Sequence, residues 1–310
     1  MSRVLGYSYI PATHLKVTDE DAADFLQSQF SNELRPFENG QCTYGLWLDV
    51  KGKVIADSWI FCEEKTQFLV LSEYSPATKI IKKLEDHIIA DDVTIEQMPP
   101  GSAIALFGDH VVALLESLGF QTPPDAGFVR VDDLYVFPGR RSLAPGFELW
   151  SNSASTMAEL KKRLVELDVE FVTTEEMQRV RIATGIPNVP EEIGPADLPG
   201  EGALVGKGVS LTKGCYLGQE VVARMHNIGR AQRALFRMTG SGTAPQCPVP
   251  LYNSELKNIG ELRSAYVSES GWFGVALLKV RYAKPGGFLK YDSGDARIDS
   301  YFTTTNDRSE

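Results

Sequence analysis

Residues 213–224 read K-G-C-Y-L-G-Q-E-V-V-A-R, and this stretch is the most informative part of the chain. Cys215 stands between Gly214 and Gly218, and glycine tolerates positive φ angles and close backbone approach. The pattern therefore predicts a loop that presents a thiol rather than an ordinary turn of the core. Lys213 at the start of this loop would favour the thiolate form of a partly exposed cysteine.

The same residues also have structural interpretations. A free cysteine is often a small buried core side chain, and Lys213 would then be an ordinary surface residue. Gln219 and Glu220 are equally compatible with bracing the loop and with binding a ligand. Arg224 is equally compatible with a structural ion pair and with a ligand contact. For Cys215 we favour the functional interpretation, because glycine and lysine precede it directly.

The charge of this region differs from that of the remaining chain. The protein has a net charge of −10, which argues against nonspecific adhesion to nucleic acid. Residues 207–237 nevertheless contain six basic residues and one acid, Glu220, so this segment carries +5 and the remaining chain −15. The basic residues are Lys207, Lys213, Arg224, Arg230, Arg233 and Arg237. The segment suggests an anionic ligand near Cys215, with a solvated, salt-bridged surface as the alternative.

Length and composition indicate a soluble protein with more than one domain. A chain of 310 residues exceeds one typical core, so two or three domains are expected. Hydrophobic residues make up 43% and charged residues 23% of the chain, as in ordinary globular proteins. No apolar run approaches the length of a membrane span, and the N-terminus has no signal-peptide pattern. We therefore expect a cytoplasmic protein without membrane contact.

Cysteine and histidine spacing gives no sign of a metal site. The four cysteines, at positions 42, 62, 215 and 247, form no C-x-x-C pair and suggest no disulfide framework. The four histidines are equally scattered. No zinc or iron–sulfur ligand set is therefore predicted from the sequence.

Hydrophobic periodicity divides the chain into two parts. Strand-like and helix-like segments alternate up to about residue 185 without a G-x-G-x-x-G sequence, which predicts an α+β fold with split β-α-β units. From Leu235 onward helical periodicity disappears, and short apolar runs recur at 265–267 and 272–280. This pattern is typical of a small all-β module. We predict the boundary between residues 240 and 250.

The cysteine stretch resembles K-G-C-[FY]-x-G-Q-E-x-x-x-R, the signature of the YgfZ group. That group belongs to the folate-binding superfamily of the glycine-cleavage T-protein, which includes a mitochondrial homologue that helps mature iron–sulfur proteins. Further stretches resemble superfamily motifs in the same order, and together they span nearly the whole chain. They are 25–34 (F-L-Q-S-Q-F-S-N-E-L), 44–57 (Y-G-L-W-L-D-V-K-G-K-V-I-A-D), 144–149 (A-P-G-F-E-L), 181–187 (R-I-A-T-G-I-P), 199–201 and 260–265.

This resemblance implies a three-lobed, T-protein-like ring of the α+β class with a ferredoxin-like middle lobe and a C-terminal β-barrel. The implied domains are a discontinuous folate-binding domain at 1–50 and 140–240, a ferredoxin-like domain at 51–139 and the barrel at 241–310. Tetrahydrofolate or a related folate would bind in the central channel. The cysteine loop would face that channel.

The resemblance also implies roles for individual residues. Cys215 and Lys213 would be the catalytic residues. The residues that contact folate would be Asp57, Asn32, Met177, Glu201, Gln219, Glu220 and Arg224. For Asp57 the alternative is bracing of the strand end, and for Asn32 it is a turn that fixes the channel wall.

Three positions depart from the superfamily pattern. T-proteins have two adjacent acids where this chain has Ala56 and Asp57, and the glutamate that binds the pterin is Ala183. Met177 stands where some YgfZ proteins have a folate-contacting tryptophan. Each pterin donor left unpaired in a buried site costs about 1–3 kcal/mol. Unless Glu201 or Asp57 replaces the missing glutamate, we expect weaker folate binding or a different ligand.

Three functions remain as hypotheses. The first is a folate-binding factor for the assembly or repair of iron–sulfur proteins, including tRNA-modifying enzymes, in which Cys215 holds or exchanges a persulfide, a metal or an alkyl species. Its partners would be iron–sulfur proteins or their assembly machinery, without direct nucleic-acid contact. The second is a tetrahydrofolate-dependent aminomethyl or one-carbon transferase of the T-protein type, which needs an acid such as Asp57. The third is a module that binds folate or partners without chemistry of its own.

Overall fold

The computed structural model describes residues 4–228 and 231–303. The helices are α1 (Ala22–Gln29), α2 (Ala77–Glu85), α3 (Val111–Ser117), α4 (Ala154–Glu166), α5 (Thr174–Thr184) and α6 (Gln219–Ile228), with a 3₁₀ turn at Pro199–Gly202. The strands are β1 (Leu5–Tyr9), β2 (Thr13–Thr18), β3 (Gln41–Leu48), β4 (Val54–Glu64), β5 (Gln67–Ser72), β6 (Thr94–Gln97), β7 (Ser102–Phe107), β8 (Val129–Val131), β9 (Leu134–Pro138), β10 (Gly146–Ser151), β11 (Glu170–Phe171), β12 (Arg233–Gly240), β13 (Val249–Tyr252), β14 (Asn258–Ser268), β15 (Gly271–Lys279), β16 (Phe288–Tyr291) and β17 (Gly294–Tyr301).

The first sheet has five antiparallel strands in the order β3-β4-β5-β2-β6. Two helices cover one face of it, α1 with Phe25 and Leu26 and α2 with Ile80 and Leu84, all of them buried. Ile80 and Leu84 are four residues apart, which places both on the same side of the helix. The first core of the protein therefore lies between this sheet and its two helices.

The β3–β4 hairpin positions three polar or aromatic side chains on the other face of this sheet. Tyr44 is the register partner of Trp59, and Asp57 is two residues from Trp59 on the same strand. Because side chains alternate along a strand, Tyr44, Asp57 and Trp59 point to the same side. The candidate site described below is built on this face.

The second sheet runs β11-β1-β7-β10-β9-β8, with α3 and α4 packed on it through residues such as Leu115, Leu160 and Leu164. Without β1 and β8, the order β11-β7-β10-β9 and the two crossover helices match the split β-α-β arrangement of a ferredoxin-like fold. β1 is inserted between β11 and β7. The predicted ferredoxin-like lobe is thus confirmed, although residues 102–171 form it.

The last part of the described chain forms the predicted C-terminal barrel. Six strands close in the order β12-β15-β14-β13-β16-β17. The interior is apolar and includes Phe236, Leu262 and Trp272. A closed barrel leaves no free sheet edge, which suits a small all-β module. The expectation of an α+β protein with a C-terminal barrel is therefore confirmed.

The sheets do not follow the predicted domain boundaries. The boundary between residues 50 and 51 falls inside the β3–β4 hairpin, whose ladder runs from Gln41–Cys62 to Leu48–Val54. The boundary between 139 and 140 separates β9 from its partner β10. The barrel begins with β12 at Arg233 rather than at residue 241. Hydrogen-bonded strands belong together, so the sheets group residues 13–97, residues 5–9 with 102–171, and residues 233–301.

None of the helices in the described ranges combines the length and the apolar character that a membrane crossing requires.

Candidate functional site

The thiol of Cys215 is accessible, unlike the other three thiols. Cys215 is exposed, Cys42 and Cys62 are buried, and Cys247 is partly buried. Burial raises the pKa of Cys62 to about 11 and that of Cys247 to about 12, and it raises the pKa of Cys42 further. A thiolate is the reactive form of cysteine, so burial suppresses the reactivity of these three.

Lys213 anchors the segment that leads into Cys215. Its side chain is 5% exposed, and its Nζ donates to the carbonyl oxygens of Gln27, Phe30 and Asn32, each at 2.8 Å. An ammonium group has three protons, so these three acceptors saturate it. The carbonyls lie at the C-terminal end of α1 and in the turn that follows, where a cation is favourable.

This geometry gives Lys213 a positioning role. Its ammonium has no proton left for an anion or for the Cys215 thiol. Burial lowers the pKa of Lys213 to about 8. Its proposed part in catalysis stays a prediction that these contacts do not support.

Gly218 fixes the other end of the loop against the β3–β4 turn. It has a φ of +85°, and a Cβ atom there would lie 2.6 Å from the carbonyl oxygen of Asp49 and 2.9 Å from the Cα of Gly52. No other residue type fits this approach without a shift of the backbone. Gly214, by contrast, has open space where a Cβ would be. The expectation of a special backbone conformation therefore holds at Gly218 and not at Gly214.

The remaining residues of the motif lie on α6. Gln219 donates from Nε2 to the Lys213 carbonyl at 3.2 Å and so braces the loop. Glu220 is exposed in the first turn of the helix, where a negative charge is favourable, and Arg224 is exposed further along. Their proposed contacts to a ligand stay predictions.

Three basic residues of the segment 207–237 form their contacts with other groups of the protein. Lys213 is saturated by carbonyl groups, as shown above. Arg233 donates from Nε and Nη2 to Glu201 at 2.8 Å each. Arg237 donates to the carbonyl oxygens of Ile182 and other residues. Arg230 lies outside the described residues. Lys213, Arg233 and Arg237 are therefore engaged by groups of the protein itself, and an anion site near Cys215 stays a prediction.

A cleft with polar and aromatic walls opens on the face of the β3–β4 hairpin that carries Asp57. Its walls include Tyr44, Trp59, Phe137 and Arg140. Trp59 packs edge-on between Tyr44 and Phe137, with ring centroids 5.7 and 5.6 Å away. A cleft of this kind suits a flat ring ligand with a few polar groups.

Asp57 is the acid of this cleft. Its Oδ1 accepts hydrogen bonds from Ser72 Oγ at 3.1 Å and Ser75 Oγ at 2.8 Å, and its Oδ2 accepts one from the Tyr44 hydroxyl at 2.8 Å. Burial raises the pKa of Asp57, against the opposite effect of the bonds from Ser75 and Tyr44. A carboxylate has about four acceptor positions, so one on Oδ2 remains for a ligand.

Arg141 belongs to a closed ionic network at the cleft wall. Its Nε donates to Glu148 Oε1 at 2.8 Å, its Nη1 bonds to Glu73, and its guanidinium lies 4.1 Å above the ring of Tyr9. Tyr9 in turn donates to Glu148 at 3.0 Å. Burial raises the pKa of Glu148, against the opposing effect of Arg141. These groups satisfy one another and hold the wall in place.

Three of the predicted folate contacts lie away from the cleft. Glu201 pairs with Arg233 and accepts from the Leu198 amide at 2.8 Å, so it ties the 3₁₀ turn to the barrel. Met177 is 1% exposed in an apolar cluster. Asn32 donates to the Tyr44 carbonyl at 2.8 Å and supports the wall from behind.

Asp57 is the predicted contact that lines the cleft, whereas Cys215 is not among its described lining residues. The prediction that the cysteine loop faces this space is therefore not supported. Ala183 is exposed, and its carbonyl oxygen accepts from Arg237 at 2.9 Å. The position of the missing glutamate is thus also outside the lining of the cleft.

Sequence reasoning missed Arg140 and Arg141. Both precede the A-P-G-F-E-L stretch, whose Glu148 binds Arg141. Two consecutive arginines just before a motif were the available signal. Within the ranges that the structure describes, no group of three or more histidine, cysteine or acidic side chains is placed to hold a metal ion.

Comparison with known proteins shows what this chain is similar to. Residues 11–136 match the model of the GCVT N-terminal domain. A tRNA-modifying protein YgfZ from Hamiltonella defensa is 26% identical over 76% of this chain and 69% of its own length. The mitochondrial iron–sulfur cluster assembly factor IBA57 of Mus musculus is 28% identical over 87% of this chain and 76% of its own length.

Relatives named for aminomethyl transfer also match. An aminomethyltransferase from Exiguobacterium sibiricum is 24% identical over 78% of this chain and 69% of its own length. The crystal structure of the glycine cleavage system aminomethyltransferase T from Bartonella henselae has the same fold, with a TM-score of 0.78, 17% identity and coverage of 96% of this chain and 85% of that one. The chain is thus similar to YgfZ-type proteins, to IBA57 and to aminomethyltransferases, and it shares the fold of aminomethyltransferase T.

Proposed function

We propose that this protein supports the assembly or repair of iron–sulfur proteins, including tRNA-modifying iron–sulfur enzymes, and that Cys215 is its reactive group. The observation that carries the proposal is the exposed thiol on a loop that is fixed at both ends. Relatives named as a tRNA-modifying protein and as an iron–sulfur cluster assembly factor support the same function.

Loop geometry explains how Cys215 would act. Lys213 and Gly218 hold the flanking backbone, so the thiol stays exposed without needing order from a partner. An exposed thiolate is both a nucleophile and a soft ligand for iron or for an iron–sulfur cluster. Cys215 is exposed and is not among the lining residues of the cleft, so its approach by a protein partner does not depend on the cleft in this proposal.

We propose that the pterin ring of tetrahydrofolate, the cofactor that the resemblance implies, binds in this cleft. Tyr44, Trp59 and Phe137 offer aromatic walls to a flat ring. The Tyr44 hydroxyl occupies one of the two acceptor positions on Asp57 Oδ2. The other position can accept a hydrogen bond from a ring N–H or an amino group of the ligand. Bound tetrahydrofolate would supply a nitrogen that carries one-carbon groups, and Asp57 would orient the ring.

The test of the main proposal is a strain in which Cys215→Ser replaces the native gene. We expect the activity of iron–sulfur enzymes, including those that modify tRNA, to fall while the amount of the variant protein stays normal. Cys247→Ser is the matched control, because Cys247 is partly buried and its pKa is raised to about 12. Wild-type enzyme activities in the Cys215→Ser strain would reject the proposal.

A second function, tetrahydrofolate-dependent aminomethyl or one-carbon transfer, is favoured by Asp57. This acid faces the cleft, and burial raises its pKa, as proton transfer at a folate nitrogen requires. The measurement is one-carbon transfer to tetrahydrofolate by the purified protein and by Asp57→Asn. Turnover that Asp57→Asn abolishes supports this function, and absence of turnover in the wild-type protein removes it.

A further inference from the structure

The neighbouring residues Arg140 and Arg141 have different surroundings at the cleft. Arg141 is buried and bound to Glu73 and Glu148. Arg140 is half-buried, and no carboxylate of the described residues forms an ion pair with it. Its guanidinium lies over the ring of Tyr44, 3.2 Å from the centroid. Apart from the Tyr44 hydroxyl, no described residue offers an acceptor to Arg140, so most of its N–H donors stay available to a ligand.

Tyr44 joins Arg140 to the acid of the cleft. The hydroxyl of Tyr44 donates to Asp57 Oδ2 at 2.8 Å, while its ring face carries the guanidinium of Arg140. An ionised carboxylate only accepts hydrogen bonds, and a guanidinium only donates them. One tyrosine side chain thus presents an acceptor and a donor close together on the cleft wall.

We propose that Arg140 is a specificity-determining residue of the cleft, which donates to a ring carbonyl oxygen that lies next to the ring N–H bound by Asp57. The inference rests on the proposed binding of folate and adds which edge of the ring Arg140 and Asp57 recognise. A group of the form –CO–NH– places an acceptor beside a donor, and this is the complement of Arg140 and Asp57.

The pairing makes a prediction about ligands that differ at this edge. Folic acid has the ring carbonyl and the neighbouring N–H. Aminopterin differs in carrying an amino group at that carbon, which also removes the hydrogen from the neighbouring nitrogen. The amino group of aminopterin would face the N–H donors of Arg140. Two donors cannot pair with each other, so both groups would lose a hydrogen bond in a partly buried site, and binding would weaken.

Two variants separate recognition from packing. Arg140→Gln replaces a pure donor with an amide that can turn its oxygen or its nitrogen toward the ligand. Arg130→Gln is the control for loss of an arginine that lies over a tyrosine outside the cleft: Arg130 is 5.1 Å from the centroid of Tyr135 and, unlike Arg140, also pairs with Glu63 at 3.0 Å. Neither arginine is in the Arg141 network, so the fold is expected to stay intact.

The experiment is a calorimetric titration of the wild-type protein and both variants with folic acid, aminopterin and tetrahydrofolate. We expect wild-type protein and Arg130→Gln to prefer folic acid over aminopterin by about tenfold or more, and Arg140→Gln to reduce this ratio to about threefold or less. An unchanged ratio in Arg140→Gln, or equal wild-type affinities, overturns the inference while folate binding stands. Absence of binding by all three probes overturns it together with folate binding, and the Cys215→Ser strain decides the remaining function separately.

Discussion

The ammonium of Lys213 donates to the Asn32 carbonyl at 2.8 Å, and the Asn32 side chain donates to the Tyr44 carbonyl at 2.8 Å. Asn32 is therefore bonded to the cysteine loop through its backbone and to the cleft wall through its amide. The hydroxyl of Tyr44 continues this chain to Asp57. The exposed thiol and the cleft are separate surfaces that share one set of supporting residues.

Lys213→Met is expected to destabilise the protein. The substitution leaves the carbonyl groups of Gln27, Phe30 and Asn32 without their donor in a buried site, and the free energy of unfolding should fall by about 2–3 kcal/mol. Urea denaturation followed by fluorescence measures the change. Lys51→Met is the control, because Lys51 is exposed in the β3–β4 turn. Equal stability of both variants would contradict the anchoring role.

Gly218→Ala is expected to displace the cysteine loop, and Gly214→Ala is not. At Gly218 the φ is +85° and the new Cβ would lie 2.6 Å from the Asp49 carbonyl oxygen, whereas at Gly214 it meets nothing within 4 Å. We expect Gly218→Ala to lower the free energy of unfolding by about 1–3 kcal/mol. Thermal denaturation of the two variants side by side is the measurement. A larger loss in Gly214→Ala would be inconsistent with the loop geometry.

A native-state alkylation experiment should modify one thiol. Cys215 is exposed, while burial raises the pKa of Cys62 to about 11 and of Cys247 to about 12, so Cys215 should react at least roughly tenfold faster than either. Peptide mass spectrometry after brief treatment with iodoacetamide locates the label. The Cys215→Ser protein should lose the rapid phase. Early labelling of Cys62 instead would refute the assignment.

Hydrophobic periodicity and the positions of glycine residues predicted the parts of this structure that depend on local sequence. Hydrophobic periodicity predicted the alternating helices and strands up to about residue 185, and its loss after Leu235 predicted the barrel. The predicted domain boundaries came from the resemblance and stay predictions. The β3–β4 ladder nevertheless runs across the boundary at residue 50.

The candidate site likewise has features that the local sequence predicted and features that it did not. The exposed thiol of Cys215 agrees with its glycine-flanked motif, and Gly218 has the positive φ that such a loop requires. The three hydrogen bonds of the Lys213 ammonium could not be predicted from the sequence. Their acceptors, at the end of α1 and in the turn that follows, lie more than 180 residues earlier in the chain. The role of Arg140 was not predicted for the same reason, because its contact with Tyr44 joins parts of the chain that belong to two separate sheets.

Stability should depend on pH through His14. This residue is 3% exposed, its Nδ1 lies 2.6 Å from the Pro99 carbonyl oxygen, and its Nε2 has no partner among the described residues. Burial lowers its pKa, so the unfolded chain binds more protons than the folded one in mild acid. This contribution to stability is complete above the unfolded pKa of about 6.5 and is lost as the pH falls through the folded value.

His14→Gln should therefore flatten the acid side of the stability profile. We expect the free energy of unfolding of the wild-type protein to drop more than that of the variant between about pH 7.5 and about pH 5.5. Trp150, whose ring lies 4.6 Å from His14 in an edge-on contact, is a built-in fluorescence probe for urea titrations at each pH. His87→Gln is the control, because His87 is only half-buried. Parallel profiles for the wild-type protein and His14→Gln would show that burial of this imidazole does not set the acid sensitivity of the fold.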